Sequence, residues 1–201
     1  MKVFFLSQRV DVIESYGERR DCLDQMWANT LCGKDRVILP VPNNILNVSN
    51  MLKAIKPDFI VLTGGNTPEA YGGTAKERDC TDDTLIKYAL NYDIPLLGVC
   101  RGMQSIVLYF GGTLEKVEKH VSVEHIIKDK NGKELGSVNS YHNYSVEDIP
   151  YELVATAWSK DGKVEAVKHK NARIYGVMWH PEREASENGE DIINRLFDLN
   201  L

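Results

Sequence analysis

The sequence predicts an α/β fold: a mostly parallel sheet with helices on both faces and an antiparallel extension. Four short apolar runs in the first half, rich in Val, Ile, Leu or Phe, do not alternate with polar residues. That is how strands buried on both faces read. Helically spaced stretches separate them, which implies right-handed crossovers between parallel strands. The second half instead carries a hairpin signal and further β-rich runs.

In chain order, the predicted strands of the first half are Val3–Leu6, Val37–Pro40, Phe59–Leu62 and Pro95–Val99. The predicted helices are Glu18–Leu31 ending before Gly33, Val48–Ile55, Thr81–Asn91, and Met103–Phe110 closed by Gly111-Gly112. In the second half, Asn131-Gly132 between β-prone flanks reads as a hairpin turn. Strands follow at Leu153–Thr156, Val164–His169 and Ile174–Trp179. Asn188–Asp198 is a closing helix with apolar Ile192, Ile193, Leu196 and Phe197. No repeat, low-complexity tract or linker interrupts the chain, so residues 1–201 are expected to form one domain.

Hydrophobic residues make up 43% and charged residues 26% of 201, the mix of an ordinary globule. At this length folding buries roughly 70% of the unfolded surface, enough for a sheet covered on both sides. The net charge is −5, so neither nucleic acid nor a membrane surface is an expected partner, since phosphate backbones select clustered Lys and Arg. The apolar start Val3–Leu6 is too short for a signal-peptide core. The cysteines (Cys22, Cys32, Cys80, Cys100) form no Cys-x-x-Cys pair and show no zinc-site spacing with histidine. A reducing cytoplasm is the expected location, and no metal or organic cofactor is expected.

Chemistry concentrates in Pro95-Leu-Leu-Gly-Val-Cys-Arg-Gly-Met-Gln104. A buried strand runs into Gly98-Val-Cys100-Arg-Gly102 and then a helix, the cysteine version of the Gly-x-Ser-x-Gly nucleophile elbow. The sharp turn leaves no room for a Cβ two residues before or after the nucleophile. It lifts the sulfur above the carboxyl edge of the sheet, where open α/β folds bind ligands. The thiol then sits at a helix N-terminus, whose partial positive charge favours thiolate. The Arg101 amide points to where an oxyanion would form. Cys22, Cys32 and Cys80 lack such flanks and read as inert buried thiols.

A cysteine nucleophile requires a histidine, and the histidine an orienting group. His180 ends the strand Ile174–Trp179 and is followed by Pro181-Glu182. Residues two apart in extended backbone face the same way, so Glu182 can hold one imidazole nitrogen while the other faces Cys100. His120 and His125, amid charged residues, read as surface side chains rather than a metal pair, and His169 between two lysines as solvated. His142 lies in a polar-aromatic stretch and is either a pocket residue or a structural hydrogen-bonder. Thr63-Gly64-Gly65, at the end of a buried strand, suits a backbone that approaches a ligand, with the Gly65 amide as second oxyanion donor.

Three marks in order, Thr-Gly-Gly at 63–65, Gly-Val-Cys-Arg-Gly-Met-Gln at 98–104 and His-Pro-Glu at 180–182, resemble the class I glutamine-amidotransferase-like domains, which are built on a flavodoxin-like sheet. The resemblance implies Cys100 as nucleophile, His180 as base then acid, and Glu182 as orienter. It implies Gly65 and Arg101 amides as oxyanion hole, with Gln104 and the Ser140–Tyr141 segment gripping a γ-glutamyl head. Arg101-Gly102, Arg78-Asp79 and Gly-Gly-Thr-Leu at 111–114 resemble the branch of free-standing γ-glutamyl hydrolases. Two segments differ from that branch near the leaving-group side: Asn139-Ser-Tyr-His-Asn-Tyr144, and Glu-Lys-Val after the Gly-Gly-Thr-Leu.

The expected reaction is acyl transfer on a small γ-glutamyl compound, through a thioester that water hydrolyses. A leaving group bearing phosphates would require cations near the sheet's carboxyl edge. Either Arg9, Arg19 and Arg20, which follow the first strand, supply them, or the Glu-Arg-Arg-Asp run at 18–21 is an ordinary solvated helix start. The rival readings are the glutaminase half of an amidotransferase with a partner synthase, a cysteine peptidase or stress protein, and a non-catalytic binding module.

Overall fold

A computed structural model describes residues 1–31, 33, 35–183 and 189–199 of the chain. Cys32, Asn188 and the side chain of Leu196 lie outside the described residues. The strands are β1 (Lys2–Ser7), β2 (Arg9–Ile13), β3 (Glu18–Cys22), β4 (Arg36–Val41), β5 (Phe59–Leu62), β6 (Leu96–Val99), β7 (Leu114–Lys116), β8 (Val121–Lys128), β9 (Glu134–Tyr141), β10 (Tyr144–Val146), β11 (Leu153–Ser159), β12 (Val164–His169) and β13 (Ile174–Val177). The helices are α1 (Met26–Leu31), α2 (Ile45–Ala54), α3 (Lys76–Tyr92), α4 (Arg101–Tyr109) and α5 (Gly189–Phe197).

Among the described residues, nine strands form one sheet in the order β4-β1-β5-β6-β13-β12-β11-β8-β9. The pairings from β4 to β13 are parallel, and those from β13 to β9 are antiparallel. The parallel half has the flavodoxin-like order, with its switch point between β1 and β5. Strands β5 and β6 are buried along their whole length, as their unbroken apolar runs require. Val48 and Leu52 of α2, Leu85 and Ile86 of α3, and Met103 and Ile106 of α4 pack on one face. Trp27 and Leu31 of α1 and Ile192, Ile193 and Phe197 of α5 cover the other. The sheet thus carries helices on both sides and an antiparallel extension.

One predicted element is wrong in kind. Residues Glu18–Leu31 do not form a single helix; Glu18–Cys22 is a strand that pairs antiparallel with β2 as a separate hairpin. Gly17, at φ 71°, makes the turn that lets the chain fold back. Distant polar contacts hold the hairpin: Asn66 bonds both backbone groups of Val10 at 2.8 Å, and Asp21 accepts from the Asn43 amide and side chain at 2.9 and 2.7 Å. The helix survives only as α1, whose first turn is capped by Asp24 accepting from Met26 N–H at 3.0 Å. Strand β13 also stops at Val177, so Trp179 and His180 lie beyond it.

Candidate active site

Strand β6 delivers Cys100 into α4 with φ 52° and ψ −103°, a left-handed conformation that a side chain adopts only under constraint. The constraint is packing. A Cβ on Gly98 would lie 2.5 Å from the Gly102 backbone, and one on Gly102 would lie 2.0 Å from the Leu62 carbonyl. Cys100 N–H donates to Val177 O at 2.8 Å, which pins the elbow to β13.

His180 stands next to it and hydrogen-bonds the cysteine. Its Nδ1 donates to Glu182 Oε1 at 2.8 Å, leaving Nε2 for the sulfur. Glu182 reaches back by a route other than extended backbone: Arg183 N–H donates to His180 O at 3.2 Å, closing a turn over 180–183. Burial opposes a charge on this ring, but the Cys100 thiolate, its hydrogen bond and Glu182 outweigh it and raise the imidazole to about 9. His180 and Glu182 are both buried.

Two residues outside the sequence-derived set fix this arrangement. Asn139 clasps the His180 backbone, accepting from its N–H at 2.8 Å and donating to its carbonyl at 2.9 Å. Arg78, fully buried, donates to Gly64 O at 2.9 Å, to Gly65 O at 2.7 Å and to Thr63 O. In a trans peptide the C=O of residue 64 and the N–H of residue 65 point in opposite directions. Arg78 therefore turns the Gly65 N–H away from itself. Burial lowers the Arg78 guanidinium to about 10, still charged at neutral pH, and Asp82 lies 3.7 Å from its Nε. Arg101 sends its side chain the same way, pairing with Asp79 and Ser105, and so leaves the mouth to its backbone amide. Arg78 stands in the Arg78-Asp79 pair that resembles the γ-glutamyl hydrolase branch, and Asn139 in the segment that differs from it; both lie in polar stretches, so no local contrast marks their roles.

Cys100, His180, Gly65, Arg101, Gln104, Tyr141, His142, Arg9 and Arg183 line a single cavity of about 300 Å³. Gln104 Nε2 donates to Tyr144 O at 3.1 Å. Tyr141 meets the His180 ring edge-on with centroids 5.8 Å apart, and the Arg183 guanidinium lies 4.5 Å over the Tyr141 ring. Nothing in the sequence around Arg183 marks it as a cavity residue.

Three expected substrate contacts are not brought here. Ser140 is buried facing the opposite way, donating to His120 O at 2.7 Å, because β9 alternates and it is Asn139 and Tyr141 that face His180. Arg19 donates to Glu77 and to Thr74 O at 2.9 Å, and Arg20 pairs with Glu18. Arg19 is held by Glu77 of α3 and Arg20 by Glu18 of the hairpin, and neither lines the cavity. Arg9 does line it, while also pairing with Asp11 at 2.7 Å. The surface reading of His120 and His125 also fails: His120 is buried and His125 half-buried, since both rings turn in against His142. Nor is His169 simply solvated, for its Nδ1 accepts from the Asn171 and Ala172 N–H groups at 3.1 and 2.8 Å. Cys22 and Cys80 are half-buried rather than sealed in the core.

Residues 24–199 match the family model described as glutamine amidotransferase class-I. The γ-glutamyl-CDP-amidate hydrolase of Campylobacter jejuni is 35% identical over 199 residues, covering 96% of each chain. A subunit of the glutamine-hydrolysing GMP synthase of Pyrococcus abyssi is 32% identical over 155 residues, 74% of this chain and 78% of the relative. Among solved structures, a glutamine amidotransferase of Thermotoga maritima shares the fold with a TM-score of 0.64 at 16% identity, covering 98% of this chain and 81% of that one. No described helix is long and apolar enough to cross a membrane. The matched span takes in the glycine-flanked cysteine and the histidine–glutamate pair alike, and the chain belongs to the class-I glutamine amidotransferase family.

Proposed function

We propose that this chain is a cysteine-dependent hydrolase that cleaves a γ-glutamyl amide through a thioester and releases glutamate, with γ-glutamyl-CDP-amidate as its substrate. The observation that carries the reaction is Cys100, held at positive φ against an imidazole whose other nitrogen is bonded to a buried carboxylate. The substrate assignment draws on the C. jejuni relative, matched over 96% of both chains.

In this reading the Cys100 thiolate adds to the γ-carbonyl carbon, and the oxygen takes up the electron pair while accepting from the Gly65 and Arg101 N–H groups. The tetrahedral intermediate collapses, the C–N bond breaks, and His180 gives its Nε2 proton to the leaving nitrogen. Neutral His180 then takes a proton from water, whose hydroxyl displaces the sulfur from the thioester and frees glutamate. Glu182 keeps the ring oriented through both steps. Arg9 and Arg183, at the rim of the cavity, supply positive charge for a phosphate-bearing leaving group.

The similarity to the P. abyssi GMP synthase chain favours one second reading: a glutaminase that passes ammonia to a partner synthase. The test is glutamate release from γ-glutamyl-CDP-amidate, γ-glutamyl-γ-aminobutyrate and L-glutamine by the purified chain. The proposal expects kcat/KM at least about 100-fold higher on the CDP-amidate than on glutamine, about 2.7 kcal/mol of discrimination. Equal or faster hydrolysis of glutamine, with free ammonia formed, would support the glutaminase reading instead.

A further inference from the structure

Behind the cavity wall, in the antiparallel half, four side chains from three segments converge. His120 precedes β8, His125 lies within it, His142 follows β9, and Glu165 is on β12. One ligand atom from each lies within 4.8 Å of all the others. The His120 ring centroid is 4.4 Å from that of His125 and 4.8 Å from that of His142. Glu165 is fully buried, and neither of its oxygens has a hydrogen-bond donor among the described residues.

The outer nitrogens of two rings have partners, and these decide what the inner ones present. His120 Nε2 contacts Asp161 Oδ2 at 2.9 Å. Ser159 Oγ also donates to Asp161 Oδ1 at 2.5 Å, and a carboxylate oxygen accepts, so His120 Nε2 is the donor in this contact. His142 Nδ1 lies 3.1 Å from Tyr144 O, which can only accept. With Nε2 of His120 and Nδ1 of His142 given to these acceptors, His120 Nδ1 and His142 Nε2 point inward, and each is an acceptor in a neutral ring. These atoms lie 3.9 and 3.6 Å from Glu165 Oε1, and with His125 Nε2 they are buried without a hydrogen-bond partner.

Acceptors facing acceptors around a buried carboxylate are unfavourable unless something positive sits between them. A single proton on one ring would satisfy one nitrogen and one oxygen and leave the remaining lone pairs opposed. A metal ion satisfies them all. Three imidazoles and one carboxylate are a tetrahedral set for a borderline-soft divalent ion, and bonds of about 2.0–2.1 Å place ligand atoms about 3.3 Å apart. The spacings to Glu165, 3.9 and 3.6 Å, lie within about 0.6 Å of that, and the widest in the group, up to 4.8 Å, closes to it when the rings draw in by about 1.5 Å. Outer-nitrogen bonds to a carboxylate and to a backbone carbonyl are the usual supports of metal-bound imidazoles.

We propose that His120, His125, His142 and Glu165 bind one divalent transition-metal ion of the zinc class, in a closed site that ties β8, β9 and β12 together behind the substrate cavity. The consequence for the cavity runs through Tyr144, whose carbonyl holds both His142 Nδ1 and Gln104 Nε2. The proposal stands apart from the reaction assigned to Cys100, because its readouts are metal content, spectrum and melting temperature rather than turnover.

The experiment uses the full chain carrying Cys100→Ala, so that the thiol and His180 cannot offer a second site. After chelator treatment, the protein is titrated with Zn²⁺ and, separately, with Co²⁺. One equivalent of Zn²⁺ should bind with Kd below about 1 μM and raise the melting temperature. Co²⁺ should give the intense visible bands of a tetrahedral ion without a thiolate charge-transfer band. His125→Gln, at a half-buried ring, and Glu165→Gln, close in shape, should each weaken binding at least about 100-fold. If Glu165→Gln does not fold, His125→Gln carries the test. Substoichiometric binding, a Kd above about 100 μM, a thiolate band, or undiminished affinity in folded His125→Gln would overturn the proposal.

Discussion

Gly64→Ala probes the active-site geometry at one atom. A Cβ built on Gly64 lies 2.6 Å from His180 Cε1, where ordinary contact begins at 3.4 Å, so the ring must retreat by about 0.8 Å. It has little freedom to do so harmlessly. Glu182 holds Nδ1 at 2.8 Å, and Asn139 clasps the backbone on both sides at 2.8 and 2.9 Å. The retreat therefore falls on the distance between Nε2 and the Cys100 sulfur. A misplacement of about 1 Å in a reacting pair costs about 100-fold in rate, or about 2.7 kcal/mol. Gly64 does not sit at positive φ, so alanine fits the backbone and the fold should hold. The assay is steady-state release of glutamate from a γ-glutamyl amide, with circular dichroism as the folding control. We expect kcat to fall about 30- to 100-fold with KM within about 3-fold, since proton transfer rather than binding is disturbed. A folded Gly64→Ala variant with kcat within a factor of about 3 of wild type would refute the packing argument.

Three further outcomes test neighbouring parts of the site. Because His180 is raised to about 9, its protonated form contributes stability fully below the ordinary imidazole value of 6.5 and loses it as pH rises through about 9. Activity should fall along the same alkaline limb, and Glu182→Gln should move that limb to lower pH and cut kcat about 10- to 100-fold, read from pH–rate profiles; an unmoved limb would contradict the coupling. Arg78→Met strips the cation from Asp82 and from three carbonyls and should destabilise by about 3–5 kcal/mol in denaturant titration. Arg78→Lys keeps the charge but not the fork and should lower kcat about 10- to 100-fold; full activity would show that Gly65 needs no such positioning. Arg9→Ala and Arg183→Ala should raise KM for a phosphate-bearing γ-glutamyl substrate about 10-fold more than for γ-glutamyl-γ-aminobutyrate. Arg19→Ala with Arg20→Ala should leave both KM values within about 2-fold, as expected of exposed ion pairs, and the reverse ranking would return the phosphate contacts to the hairpin.

What could be read from the chain was what is local. The buried strands of the parallel half are continuous apolar runs, and their identity needs no partner to be known. The elbow is legible because Gly98, Cys100 and Gly102 lie within five residues and the strand-to-helix turn leaves room only for hydrogen at both glycines. Glu182 is legible for a different reason than extended backbone supplies: sequence proximity alone brings it to His180, through a turn.

What escaped was decided across long separations. Glu18–Cys22 carries a run of charges with helical spacing, and it becomes a strand because Asn66 and Asn43, 56 residues from Val10 and 22 from Asp21, fix the hairpin. No window along the chain contains both halves of that contact. Ser140 is an error of a different sort, since the alternation of a strand was already available: choosing Tyr141 as a cavity residue places Asn139 on the same face and Ser140 on the other. The polar atoms of β9 then separate into two systems on opposite faces, Asn139 clasping His180 and Ser140 holding the His120 carbonyl. The histidines make the general point most sharply. Flanking charges marked His120 and His125 as surface residues, yet β8, β9 and β12 bring them against His142 and against Glu165, whose burial no neighbouring residue signals. A buried carboxylate is invisible to local pattern because its justification is always elsewhere, and at Glu165 the nearest such groups are His120 Nδ1 and His142 Nε2, 3.9 and 3.6 Å from Oε1 and brought there from residues 45 and 23 positions away.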